Sequence, residues 1–222
     1  MIPLRDTQPS STTPMVTIGI IAVNILVFLH QVSLSPYELN DFIARYAIVP
    51  DRLQYSDIVT AMFMHGGWMH LIGNMWFLWI YGDNVEDVLG HGKYLLFYLL
   101  CGIAAAMLHV MVAPESRVPT LGASGAIAGV MGAYLIKFPH SRIITLVPVF
   151  VFLTTMEIPA VFMLLYWFVI QIFSGVGSIG YSNVSRGGVA WFAHIGGFVC
   201  GIILVYLMGT RERFRHRRDL QW

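Results

Sequence analysis

The sequence predicts an all-α membrane protein, a bundle of six transmembrane helices with a long external loop between the first and the second. Three observations carry that prediction. Of the 222 residues, 57% are hydrophobic and only 11% are charged, far from the averages of soluble proteins. Apolar stretches recur over 16–32, 67–81, 94–113, 122–138, 158–173 and 189–208, several at the short end of what crosses a bilayer. Between the first two lies the hydrophilic stretch 35–55, which holds Arg45 and several acids. The whole chain, 1–222, is then one membrane domain that ends in a basic tail over 209–222.

The first segment follows Arg5 and precedes Ser33-Leu34-Ser35, the flanks of a secretory signal. Its apolar run is longer than a signal requires and every later segment is also membranous, so an uncleaved first span is expected. Before the second segment, the apolar run 58–63 breaks at Gly66-Gly67. Irregular backbone at membrane depth must be shielded by protein or face water, a first sign of a cavity. The stretch 143–173 is too long for one ordinary span, too short for two, and contains Pro148, Glu157 and Pro159. Residues 143–156 are therefore read as a connector lying against the protein or the membrane interface and leading into the fifth span.

Basic residues set the orientation, because cytoplasmic flanks carry excess Lys and Arg. With both termini cytoplasmic, Arg5, Lys93, Lys137, Arg142 and the tail residues Arg211, Arg213, Arg215, Arg217 and Arg218 fall inside. Only Arg45, Arg52, Arg117 and Arg186 remain outside. The expectation is a multi-pass protein of the cell's inner or plasma membrane, with any site at the outer helix ends opening to the external side. A net charge of +1 implies no nucleic-acid partner. Cys101 and Cys200 each lie in an apolar run with no second cysteine at ligand spacing, so they read as small packed side chains rather than a disulfide framework or zinc site.

Chemistry concentrates in three places. The window Gly122-Ala123-Ser124-Gly125 opens the fourth segment, and its glycines let backbone approach closely and leave the serine hydroxyl uncovered. Gly125 and Gly129, like Ala128 and Gly132, also form a small-xxx-small surface that packs on a neighbouring helix whatever the serine does. The serine gains weight from His194 in Ala193-His194-Ile195-Gly196-Gly197, because an ionisable residue within a span is costly and usually has a functional partner. Gly197 and Gly201 give that sixth segment its own close-packing face. If the fourth and sixth helices pack together, Ser124 and His194 lie at matching depth as nucleophile and base. His70 and Asn74, one helical turn apart, reach a similar depth and can donate hydrogen bonds to a developing oxyanion. His65 reads as a loop-fixing residue. Glu157 is read as the only carboxylate near a span, toward the cytoplasmic side of the fifth and at the wrong depth to orient His194, so a Ser/His dyad held by packing or neutral hydrogen bonds is expected.

These motifs, His70-x-x-x-Asn74, Gly122-x-Ser124-Gly125 and Ala193-His194-x-x-Gly197-x-x-x-Gly201, match in order and spacing those of the rhomboid intramembrane proteases, which the sequence resembles over nearly its whole length. The resemblance implies a six-helix bundle, a dyad of Ser124 and His194, and an oxyanion site from His70, Asn74 and the Ser124 backbone amide. It implies no metal or cofactor, and substrates that are single-span or other membrane proteins, cut through an acyl-enzyme, with a small residue before the scissile bond. Trp167 and Gln171 on the fifth segment fit the place of the family's lateral gate, and pack against lipid equally well. Where some relatives place an aromatic one turn after the serine this chain has Ala128, so the restraint on His194 must come from elsewhere. The external loop lacks the family's Trp-Arg pair and offers Arg45 beside Tyr46. Two other functions compete: a transporter or channel lined by His70, Asn74, Ser124 and His194, and a non-catalytic binder of membrane segments. The first lacks carboxylate ligands and an inverted repeat, and the second typically loses the serine or histidine that is present here.

Overall fold

The computed structural model describes residues 2–149, 152–179 and 190–210. The tail basic residues from Arg211 on, Arg186 and residue 189 of the sixth apolar segment lie outside the described residues. Helix α1 (Met15–Ser33) buries a single stripe of Thr17, Ile20, Asn24, Phe28 and Gln31, the three- and four-residue steps of one helix face. Most of the rest of its surface is apolar and much of it is exposed, with Leu26 and Val32 uncovered, as suits a lipid-facing helix. Among the described residues, three helices are long and apolar enough to cross a membrane: Met15–Ser33, His91–Val112 and Ala160–Gly177.

The stretch 35–55, expected to be a long loop, contains α2 (Pro36–Tyr46), and the short α3 (Asp57–Thr60) follows just beyond it. A capping box starts α2: the Ser35 hydroxyl accepts from the Glu38 amide, and the Glu38 carboxylate accepts from the Ser35 amide at 2.9 Å. Arg45 pairs with Asp41 at 2.8 Å on the exposed side of that helix. Past α2 the chain is stitched to residues 113–123. Ile48 and Thr120 exchange backbone bonds of 3.0 and 2.8 Å, the Asp51 amide donates to the Ser116 carbonyl at 3.0 Å, and Arg117 reaches Asp51 at 2.9 Å.

Helix α4 (Trp68–Leu89) continues well beyond residue 81, taking Glu86 and Asp87 with it. Glu86 is fully buried yet satisfied: it accepts from the Val16 and Thr17 amides at 2.9 and 2.8 Å and from the Thr17 hydroxyl at 2.7 Å. A carboxylate there pairs the orphan donors of the first turn of α1 and favours its dipole. Asp87 holds the Ser11 and Thr12 hydroxyls at 2.7 Å each. These partners correct the reading of Glu157 as the lone carboxylate near a span. At Gly90, whose φ is +78°, the chain turns into α5 (His91–Val112).

Helix α6 (Ser124–Lys137) is central, buried at every residue from Gly125 to Leu135 and packed against α4, α5, α7 (Ala160–Ile179) and α8 (Trp191–Leu207). Its approach to α8 is close enough that backbone touches backbone. A methyl group at Gly197 would overlap the Gly125 carbonyl, one at Gly201 the Gly129 carbonyl, and one at Gly132 the Phe198 carbonyl. On the α5 side, Gly125 faces the Ala105 methyl and Gly129 faces Cys101.

A three-stranded antiparallel sheet, ordered β1 (Ile2–Asp6), β2 (Arg142–Val149) and β3 (Phe152–Pro159), amends the all-α expectation. The connector assigned to 143–156 is its hairpin, with Ile144 opposite Glu157 and Val149 opposite Phe152. Isoleucine, valine and threonine make up half of the hairpin strands, and β-branched side chains with Pro148 disfavour a helix there. The Tyr134 hydroxyl donates to Asp6 and bonds Ser141 at 2.8 Å, clipping β1 to the end of α6. Burial lifts the Asp6 carboxyl to about 6, against the opposing pull of the Tyr134 hydroxyl.

Gly201→Ala must push a methyl into backbone that cannot yield, so thermal melting in detergent will show a loss of about 1–3 kcal/mol. Gly19→Ala, with no atom within 4 Å of its new methyl, will leave the melting temperature unchanged or raise it.

Candidate active site

Ser124 is the first residue of α6, and the segment before it fixes where that helix begins. The Gly122 amide donates to the Ala61 carbonyl at 2.9 Å, and Gly122 turns the chain at φ +131°, a conformation open to glycine. The amides of the first turn of α6 have no partner within the helix, and its positive dipole end points at the site. His194 stands in the first turn of α8, and the glycine contacts between α6 and α8 set their separation. His194 Nε2 lies 2.8 Å from Ser124 Oγ.

The other face of His194 is also engaged. Its Nδ1 lies 2.7 Å from Gln171 Oε1, and the Gln171 amide nitrogen donates back to the Trp167 carbonyl at 3.2 Å. The indoles of Trp167 and Trp191 flank the imidazole, the first tilted at 36° with centroids 5.7 Å apart and the second edge-on at 6.3 Å. The restraint left open by Ala128 thus comes from α7 and from α8 itself. Trp167 and Gln171, placed on the sequence at a gate, turn inward in this structure, with Gln171 only 4% exposed.

His70 and Asn74 lie on one face of α4, across from Gly122. A methyl built on Gly122 would sit 2.9 Å from His70 Nε2 and 3.7 Å from Asn74 Nδ2. Ser124, His194, His70 and Asn74 line one open cavity of about 740 Å³, together with Gly122, Gly125 and His109. His109 bonds the Thr120 hydroxyl at 2.9 Å on the seam that leads to Ser124. His65 does more than fix a loop: its Nε2 accepts from Asn74 Nδ2 at 2.9 Å, which aims the Asn74 amide. Gln31, which sequence reasoning missed, holds His65 in place. Its Oε1 accepts from the His65 amide at 3.0 Å and its Nε2 donates to the His65 carbonyl at 3.2 Å. The signal for Gln31 was present: with Thr17 and Asn24 it is one of the polar residues on the face that α1 buries. Chemically the arrangement offers a hydroxyl beside an imidazole acceptor, with polar donors across a water-accessible cavity.

The sequence model described as the Rhomboid domain matches residues 52–211. The chain belongs to the rhomboid family. Among curated relatives, the rhomboid-like protein 11, chloroplastic, of Arabidopsis thaliana is 31% identical over 69% of this chain and 52% of its own length. The presenilin-associated rhomboid-like protein, mitochondrial, of Homo sapiens is 33% identical over 60% of this chain and 36% of its own. Rhomboid protein 1, mitochondrial, of Saccharomyces cerevisiae is 30% identical over 72% and 44%. This rhomboid chain therefore spans between about a third and a half of the length of these relatives. Their names place them in chloroplasts and mitochondria, which overturns the expected location in a cell's inner or plasma membrane, and with it the cytoplasmic and external assignments.

Gln31→Leu strands two buried backbone groups of His65, so thermal melting will show a loss of about 1–3 kcal/mol.

Proposed function

We propose that this rhomboid protein is an intramembrane serine endopeptidase in which Ser124 attacks and His194 is the general base. The 2.8 Å contact between Ser124 Oγ and His194 Nε2, inside the cavity that also holds His70 and Asn74, is the observation that carries this reading. In the first step His194 Nε2 takes the hydroxyl proton as Oγ bonds to the carbonyl carbon of the substrate peptide. Negative charge then builds on the carbonyl oxygen, where His70, Asn74 and the Ser124 amide are the donors. The imidazolium passes its proton to the leaving amine as the carbon–nitrogen bond breaks, and an acyl-enzyme remains. Water, deprotonated by His194, hydrolyses that ester and restores the serine.

The six-helix arrangement belongs to the same proposal. α1, α5 and α7 are long and apolar enough to span; α4, α6 and α8 complete the bundle around the cavity. With 14 residues, α6 is about 21 Å long against about 30 Å of hydrocarbon, so Ser124 at its N-terminus sits below the membrane surface. Substrates are membrane proteins whose spanning segment unwinds at the bundle's edge, which favours Gly or Pro near the cut and a small residue just before it. By analogy with the relatives' names, an organellar membrane is the setting.

In proteoliposomes with a single-span reporter, the parent will cleave and Ser124→Ala will not; His194→Asn will lose at least about 10³-fold in rate. Asn74→Ala will lose about 10²–10³-fold in kcat, the scale of one oxyanion donor. Cleavage by Ser124→Ala at the parent rate would remove the proposal.

A further inference from the structure

Gln171 is an expensive residue for its position. Helix α7 exposes Phe162, Tyr166, Val169 and Phe173, yet one amide is buried to 4% exposure on its inner side. Burying an amide costs free energy unless both ends are paired. Here both are: the nitrogen end donates to the Trp167 carbonyl one turn earlier, and the oxygen end meets His194 Nδ1 at 2.7 Å. The first bond decides the second. With the NH₂ committed to its own helix, only the carbonyl oxygen can face His194, and an oxygen there accepts. His194 Nδ1 must then carry the proton of the neutral imidazole, leaving the Nε2 lone pair directed at the Ser124 hydroxyl.

We propose that Gln171 is a positioning residue for His194, the neutral third member of a Ser124–His194–Gln171 relay, fixing the tautomer and ring orientation of the base. This rests on the protease reading for its kinetic consequence, though not for the tautomer. Ser124 on α6 and Trp167 and Gln171 on α7 contact His194 directly, and His70 on α4 and His109 on α5 line the same cavity. Among the described residues no carboxylate bonds to it, so the acceptor that serine hydrolases commonly take from an acid is here an amide. An amide orients the ring without placing a charge at membrane depth, where charge is costly. Because the acceptor stands on a different helix from both Ser124 and His194, the tautomer of the base is fixed only while α7 is docked against α8. The two indoles set ring tilt but cannot choose a tautomer; the amide can.

The experiment pairs kinetics with ¹⁵N-histidine NMR, the His194 signal being assigned by its loss in His194→Asn. Gln171→Met keeps length and removes the acceptor; it will lower kcat about 10–100-fold with KM unchanged, and the His194 signal will change from Nδ1-protonated to a mixture of tautomers. Gln171→Glu restores an acceptor at the same reach and will return kcat to within about tenfold of the parent with Nδ1 protonated. If the methionine variant does not fold, Gln171→Asn, whose oxygen stops one methylene short, carries the same expectation. Parent-like kcat together with a parent-like His194 signal in Gln171→Met overturns the proposal. A parent that cleaves no reporter removes the protease reading, while the NMR still decides what Gln171 does.

Discussion

Backbone contact between α6 and α8 is the constraint on which the site depends. At Gly197 and Gly201 the carbonyls of Gly125 and Gly129 occupy the space that any side chain would need. In lipid there is no hydrophobic drive between helices, so association rests on close van der Waals fit, and small residues permit it. The same approach fixes the separation of Ser124 and His194, since each stands in the first turn of its helix, just before the first glycine contact. A side chain at either glycine would push the helices apart and lengthen the 2.8 Å contact before anything in the cavity changed.

Around that axis, several buried polar groups are paired across elements. Glu86 of α4 closes the N-terminus of α1, Gln31 of α1 holds the backbone of His65, and His65 holds Asn74 of α4. The chain of contacts runs from one end of α1 to the wall of the cavity. It explains why α1, which lends no side chain to the cavity, presents polar Thr17 and Gln31 to the core while its outer surface is apolar; the buried Asn24 amide instead donates to the Ile20 carbonyl of its own helix.

Much of this was legible in the sequence, because its strongest signals are local. Apolar runs locate helices, glycines at four-residue spacing locate close contacts, and an ionisable residue inside an apolar run demands a partner. That is how Ser124, His194, His70 and Asn74 could be grouped before any coordinates, and the structure brings them to one cavity. What escaped were features that depend on distant pairing. The sheet joins residues 2–6 to 142–159, and its strands are too short and too apolar to be told from membrane-lying connector by periodicity. The continuation of α4 depended on Glu86 and Asp87 finding donors far away in sequence. Gln171 was noticed, but its inward rotation toward His194 is a tertiary fact that helix spacing alone does not supply.

The central claim, that Ser124 is a nucleophile made reactive by His194, is tested most directly by covalent labelling. A fluorophosphonate loses fluoride only to an activated serine, so intact mass with peptide mapping reads the claim without any substrate. The account requires one phosphonyl adduct, on Ser124, in the parent and none above background in His194→Asn. Labelling of Ser124 to the same extent in both proteins, or an unlabelled Ser124 in a folded parent, would contradict it.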